Sequence, residues 1–177
     1  MDEHNHEQEA DEHGHDHEHV EGYLLDGAQM TVMTLIAGTV GYLKERGISP
    51  QSWAAYIGEH FEGSWDAFEG SSATETLENI LPIQVESLGA ELLSGTGNDD
   101  RVEVAVGVLP SRTVLEKFGT TPRELLRGFG ITQAEFNIFD DMFKAPASAA
   151  GFRFTHKSGR GQHTIVLQRK GRKATAD

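Results

Sequence analysis

The chain has 177 residues, with 28 acidic and 15 basic side chains, a formal net charge of −13 and no cysteine. This length suits one domain with a polar extension, and the lack of cysteine excludes a disulfide framework, a thiolate metal site and a cysteine nucleophile. The composition fits a reducing compartment, so we expect a cytoplasmic protein, and the strong negative charge argues against nucleic acid as a partner.

The N-terminal residues 1–21 interleave histidines with carboxylates and contain almost no apolar side chain. Burial cannot offset the entropy cost of ordering such a segment, so we expect a disordered tail, and its acidic start lacks the features of a signal peptide. Imidazoles and carboxylates bind borderline divalent ions, which predicts a tail that collects zinc or nickel; a solubilising tail without a metal role is the alternative. The predicted ligands are His4, His6, His13, His15, His17 and His19.

Residues 22–46 predict the first helix, with Asp26 as its N-cap and Gly47 as its C-terminal stop. The stretch 27–43 carries no charge over 17 residues, which is just short of a membrane span. Because it contains Gln29 and several threonines and glycines, we interpret it as a buried helix and expect no membrane partner.

Residues 49–69 predict a second helix, with Ser49 as its N-cap and an apolar stripe that includes both tryptophans of the chain. Its stripe consists of Trp53, Ile57, Phe61, Trp65 and Phe68. Residues 47–49 connect this helix to the first one, and so short a connection favours an antiparallel helical hairpin. His60 lies at the edge of the stripe and has two interpretations: a hydrogen-bonded histidine at the core margin, or a ligand facing a cavity.

The middle of the chain combines one strand with short helices. Alternating valines predict a half-buried strand over residues 102–108, and its partner around residues 85–93 fits either a strand or a helix. Capping residues then predict three helices, over residues 111–118, 121–129 and 132–143. The last two have the layout of a helix-turn-helix, which makes a DNA-binding regulator one alternative, although the second helix is acidic.

The segment 152–169 alternates apolar and polar side chains and predicts a closing β-hairpin. A four-residue loop at 158–161 predicts three facing pairs on the apolar side: Phe152 with Leu167, Phe154 with Ile165, and His156 with His163. Two opposed imidazoles could hold one metal ion, and His60 would complete a three-histidine site with a position left for water. The alternative is that both histidines lie half in water and bind nothing.

These elements predict an α+β fold in which an N-terminal helical hairpin packs on an antiparallel sheet formed by two β-hairpins, with the capped helices between them. The domain would span residues 22–170, followed by a flexible basic C-terminus at 171–177. We expect a sensor or accessory protein that binds metal or a small ligand; a hydrolase with a histidine-lined pocket is the main alternative, and a homodimer stays open. The predicted ligand-binding residues are Trp53, His60, Trp65, Phe154, His156 and His163.

Overall fold

The computed structural model describes residues 14–159 and 161–171, with side chains from residue 21 onward. It confirms the α+β class: helices cover one four-stranded antiparallel sheet. The α-helices are α1 (Gly14–Glu45), α2 (Pro50–Phe61), α3 (Ala73–Glu78), α4 (Arg112–Lys117), α5 (Pro122–Gly128), α6 (Gln133–Phe136) and α7 (Lys144–Ala149). The strands are β1 (Leu92–Gly97), β2 (Arg101–Gly107), β3 (Phe152–Ser158) and β4 (Gln162–Arg169).

Helix α1 is longer than the sequence pattern predicts, since it begins at Gly14 and Asp26 lies inside it rather than at its N-cap. It therefore includes part of the 1–21 segment; residues 1–13 lie outside the described part of the chain, so disorder there stays a prediction. The predicted stop at Gly47 is confirmed by its positive φ of 68°. Within the described residues, no helix combines the length and apolarity that a membrane crossing needs.

The aromatic segment 49–69 is not one helix. Helix α2 ends at Phe61, and a 3₁₀ helix, Glu62–Phe68, carries Trp65. The tighter winding turns Trp65 into the core, where it is buried against Phe143. Helix α2 packs mainly on the segment 137–149 and touches α1 at few positions. The two helices of the predicted hairpin are therefore positioned by other elements more than by contact with each other.

The sheet has the strand order β1-β2-β4-β3, so the two sequential hairpins meet at β2 and β4. The alternating valines of β2 point into the core as predicted: Val102, Val104 and Val106 are all buried. The segment before β2, which fits either a strand or a helix by its sequence, contains both. It forms a π-helical turn, Ile83–Ser87, followed by the short edge strand β1, which pairs with β2.

The closing hairpin is present, but its predicted register is wrong by two residues. Phe154 faces Leu167, His156 faces Ile165, and Ser158 faces His163. Beyond the Ser158–His163 pair, the Gly159 backbone N–H donates to the Gln162 carbonyl oxygen at 2.9 Å, so the turn is tighter than the predicted four-residue loop; Gly161 lies in the left-handed region at φ 79°. A shift of two keeps every side chain on its predicted face, because strand side chains alternate with a period of two. His156 and His163 therefore become diagonal neighbours on the core face.

The segment predicted as one helix over residues 132–143 divides into α6 and a 3₁₀ helix, Asn137–Phe143. The capping box at Thr132 and Glu135 is confirmed. Helix α6 has only four residues, and the 3₁₀ segment after it is largely buried, so this region does not have the geometry of an exposed recognition helix. Helix α7, which the sequence pattern did not predict, continues from this segment and packs on β3.

Candidate metal centre

A carboxylate and an imidazole meet inside the core where the 3₁₀ helix Asn137–Phe143 crosses β4. The Asp140 side chain is 0% exposed and that of His163 is 1% exposed, and Asp140 Oδ2 lies 2.7 Å from His163 Nε2. Although this contact is short, neither atom has a hydrogen-bond partner of acceptable geometry among the described residues. A buried carboxylate needs a cation or donors, so this pair requires a proton or a metal ion to be stable.

His156 approaches the same carboxylate from β3. Its Nδ1 lies 3.9 Å from Asp140 Oδ2, while its Nε2 lies 2.8 Å from Asp141 Oδ1. If Nε2 carries the proton and donates it to Asp141, the lone pair of Nδ1 is free to face Asp140. A carboxylate behind the imidazole is the arrangement that orients and strengthens histidine metal ligands.

Asp141 is itself held by a surface cation, since Lys144 Nζ lies 2.6 Å from its Oδ1. Burial works to raise the pKa of Asp141, but the hydrogen bonds from Lys144 and His156 outweigh that effect and lower the pKa. Asp141 is therefore an anion at neutral pH and can accept the His156 proton.

The second nitrogen of His163 faces polar partners at the mouth of the hairpin. His163 Nδ1 lies 3.2 Å from Ser158 Oγ and 3.4 Å from Asn137 Nδ2. Asn137 also donates to Ser158 Oγ, and its own carbonyl oxygen accepts from Gln133 at 3.2 Å. An Nδ1 proton donated to the serine hydroxyl leaves the Nε2 lone pair directed at Asp140.

The remaining oxygen of Asp140 is also occupied. Gln84, fully buried on the π-helical turn, donates its amide to Asp140 Oδ1 at 2.5 Å, while its own carbonyl oxygen has no partner within the described residues. The amide thus fixes one oxygen of the carboxylate and leaves Oδ2 turned towards the two imidazoles.

Asp140, His156 and His163 can together hold a divalent ion, since each offers one ligand atom and these atoms all lie within 4.8 Å of one another. In a tetrahedral zinc site, ligand bonds of about 2.0–2.1 Å place neighbouring ligand atoms about 3.3 Å apart. The separations of 2.7 and 3.9 Å from Asp140 Oδ2 bracket that spacing. Two imidazoles and a carboxylate suit zinc, nickel, cobalt or ferrous iron.

Several residues predicted to bind ligand lie together in a row of aromatic contacts. Trp65 packs on Phe143 with ring centroids 6.4 Å apart, Phe143 on Phe154 at 5.6 Å, and Phe154 on His156 at 6.1 Å. His156 and His163 complete the row at 5.4 Å. The aromatic segment thus reaches the closing hairpin as expected, through packed rings; binding of a small ligand by these residues stays a prediction.

His60 is not part of this cluster. It is exposed on α2, where its Nδ1 lies 2.8 Å from the Tyr56 carbonyl oxygen and its ring stacks on Tyr56. The predicted three-histidine site therefore does not form, because α2 ends before the chain turns towards the hairpin. Trp53 is half-buried against the core. The six histidines of the tail lie outside the residues whose side chains are described, and their metal binding stays a prediction.

Sequence reasoning missed the carboxylate of the site. Asp140 lies four residues after Phe136 and three before Phe143, both of which are buried, so its position fell on the apolar face of that segment. A carboxylate among core positions is a signal for a buried polar site. Gln84 and Asn137 carried no comparable signal, because amides occur widely at surfaces.

Comparison with known proteins does not extend this picture: no protein-family model matches the chain, and no curated protein shows significant similarity to its sequence.

Proposed function

We propose that the protein is a metal-binding sensor or accessory protein that holds one divalent ion, zinc or nickel, between Asp140, His156 and His163. The observation that supports it is the buried contact of 2.7 Å between Asp140 Oδ2 and His163 Nε2, two atoms that need a proton or a metal ion between them and have no hydrogen bond with any described residue. The carboxylate behind His156 and the hydroxyl behind His163 further support it, since both orient the imidazoles as ligands.

The enclosure of the site supports binding over turnover. Asp140 and His163 are buried, and the half-buried His156 is the most solvent-accessible of the three ligands. Catalytic zinc sites keep an open position beside a substrate cleft, whereas enclosed sites retain their ion and couple it to folding. In this proposal the histidine-rich tail gathers ions from solution and the internal site responds to them.

The experiment compares single variants of a tail-silenced protein, in which all six tail histidines are replaced by glutamine. Substitution is better than truncation, because α1 begins within that segment. We expect the tail-silenced protein to bind one zinc or nickel ion per chain in equilibrium dialysis and to gain thermal stability from it. Added to this background, Asp140→Asn and His156→Gln should lose that binding, and the matched control His60→Gln should keep it.

The proposal is contradicted if the tail-silenced protein binds no ion, or if Asp140→Asn binds as tightly as the control. Asp140→Asn preserves the side-chain shape, and His156 is half-buried, so at least one of the two variants is expected to fold. Circular dichroism of each variant without metal separates loss of the site from loss of the fold.

A second function, hydrolysis through a serine nucleophile, is favoured by one observation. The exposed Ser158 places its Oγ 3.2 Å from His163 Nδ1, and Asp140 lies on the other side of the same ring. Serine, histidine and aspartate in a row are the parts of an acyl-transfer site. In this proposal His163 Nδ1 accepts the serine proton, whereas in the metal proposal it donates to the serine.

Ser158→Ala separates the two functions. For a hydrolase, the wild type hydrolyses p-nitrophenyl acetate and is labelled by a fluorophosphonate, and Ser158→Ala loses both; zinc binding inhibits by occupying His163. For a metal-binding protein, neither chain reacts above background, and Ser158→Ala weakens the zinc affinity about 10- to 100-fold, because it removes an outer contact that orients His163.

A further inference from the structure

An open cleft of about 650 Å³ lies between α7 and the edge strand β3, at the end of β4. Four basic side chains line it, and none of the described residues that line it is acidic. The four cations are Lys144, Arg153, Arg169 and Lys170. In a chain with a net charge of −13, such a concentration of positive charge in a concave surface attracts anions.

Within residues 14–159 and 161–171, two of the four cations lack an acidic partner. Lys144 and Arg169 are paired with Asp141 and Asp100, at 2.6 and 3.1 Å. Lys170 Nζ donates to Ser148, including its carbonyl oxygen at 2.9 Å. No carboxylate of the described residues lies within ion-pair distance of Lys170 or Arg153. The cleft thus keeps uncompensated positive charge that a bound anion would neutralise.

The cleft is also partly preorganised. The Arg169 guanidinium lies 4.8 Å from the centroid of the buried Phe152 ring and donates to the Ser71 carbonyl oxygen at 2.7 Å, which holds it in place. Helix α7 packs on β3. The helix thus walls one side of the cleft, which favours a compact occupant over an extended one.

We propose that this cleft binds a small phosphorylated molecule. Arginine and lysine side chains are the common ligands of phosphate, and the volume exceeds what inorganic phosphate fills, falling in the range of small-molecule sites, about 300–1,000 Å³. The methylene stems of Lys144 and Lys170, which line the cleft, suit an apolar group beside the phosphate. The site is separate from Asp140, His156 and His163, none of which lines it.

The test titrates inorganic phosphate, pyrophosphate and phenyl phosphate into the full chain in metal-free buffer at constant ionic strength, followed by calorimetry. We expect pyrophosphate and phenyl phosphate to bind more tightly than phosphate. Arg153→Gln and Lys170→Gln should each weaken binding about tenfold, as expected for loss of one charge-assisted contact. The matched control is Lys157→Gln, an exposed cation of the same strand that does not line the cleft.

The proposal is overturned by the absence of binding for all three probes, or by an equal loss in Lys157→Gln, which would indicate general attraction to a basic surface. Binding that requires zinc would also overturn it, because the cleft would then not be an independent site. Arg153 and Lys170 are both exposed, so the two variants should fold normally.

Discussion

Gln84 shows how one buried amide fixes the candidate metal centre. Its side chain is fully buried, donates to Asp140 Oδ1 and leaves its own oxygen without a partner among the described residues. An amide at this position neither adds charge nor offers a second anionic ligand, so the site carries a single carboxylate facing two imidazoles. Replacing that amide by an isosteric acid changes the charge of the site with little change of shape.

Gln84→Glu should therefore destabilise the metal-free protein and tighten its zinc binding. Two buried carboxylates side by side repel each other unless a cation lies between them, and the cost is on the order of 1–3 kcal/mol. Thermal unfolding with and without zinc checks this: the variant should melt lower without the ion and gain more from it. A variant that melts lower and gains nothing from zinc would speak against an ion at Asp140.

Glu135 joins α6 to the C-terminal end of α1. Its carboxylate lies 2.9 Å from Lys44 Nζ, and it closes the capping box by accepting from the Thr132 backbone N–H. The hydrogen bond from Lys44, helped by that from Thr132, lowers the pKa of Glu135. A lowered pKa in the folded state means that the ionised form stabilises the fold above the unfolded pKa, and that this stability is lost as the pH falls through the folded pKa.

Glu135→Gln should consequently lower the melting temperature at pH 7, by the equivalent of about 0.2–1 kcal/mol for a largely exposed ion pair. The amide oxygen can still accept from Thr132, so the loss reports the charge. Below the folded pKa of Glu135 the two proteins should melt together. Glu78→Gln, an exposed acid on α3, is the control and should change nothing. A difference that persists in acid would assign the effect to packing.

At the scale of elements, the contact between α2 and the 3₁₀ helix Asn137–Phe143 depends on a glycine. A Cβ atom at Gly58 would lie 2.4 Å from the carbonyl oxygen of Met142, far inside van der Waals contact with backbone. Met142 follows Asp141 directly, so the position of the two aspartates depends on this close approach.

Gly58→Ala should push the two elements apart, with a loss of about 1–3 kcal/mol in the free energy of unfolding, as for other overpacked sites. Displacement of Asp140 should also weaken zinc binding. Gly27→Ala is the matched control, because a Cβ there meets nothing within 4 Å, and it should stabilise α1 by roughly 0.5–1 kcal/mol. Urea denaturation measures both. Equal stability of Gly58→Ala and wild type would show that the elements can separate at no cost.

The elements also show how far the sequence alone leads. Capping residues predicted the starts of α2, α4, α5 and α6 well, because a cap is a local hydrogen bond. Alternation predicted which face each residue of the closing hairpin occupies, but not its register, because two loops whose lengths differ by two residues satisfy the same alternation. His163 was therefore placed on the correct face and paired with the wrong residue. The switch to 3₁₀ geometry after Phe61 and Phe136 depends on tertiary packing and left no local signal.

At the scale of the whole molecule, a chain of ion pairs links the basic cleft to the candidate metal centre. Lys144 lines the cleft and contacts Asp141 at 2.6 Å, Asp141 contacts His156 at 2.8 Å, and His156 faces Asp140. On the proposal above, an anion bound in the cleft would draw Lys144 away from Asp141. The freed carboxylate would then bind the His156 N–H more strongly, which would make the opposite nitrogen a better metal ligand.

The two ligands should therefore bind cooperatively, and linkage requires the effect to be reciprocal. Saturating phenyl phosphate, a weak chelator, should tighten cobalt binding to the tail-silenced protein about fivefold, the low end of typical coupling. Cobalt is the probe because its visible absorption reports a bound ligand set. Lys144→Gln should bind cobalt as tightly without phenyl phosphate as wild type does with it, and should show no further gain, because Asp141 is already free. An unchanged fivefold gain in Lys144→Gln would mean that the coupling is long-range charge attraction and does not pass through Asp141.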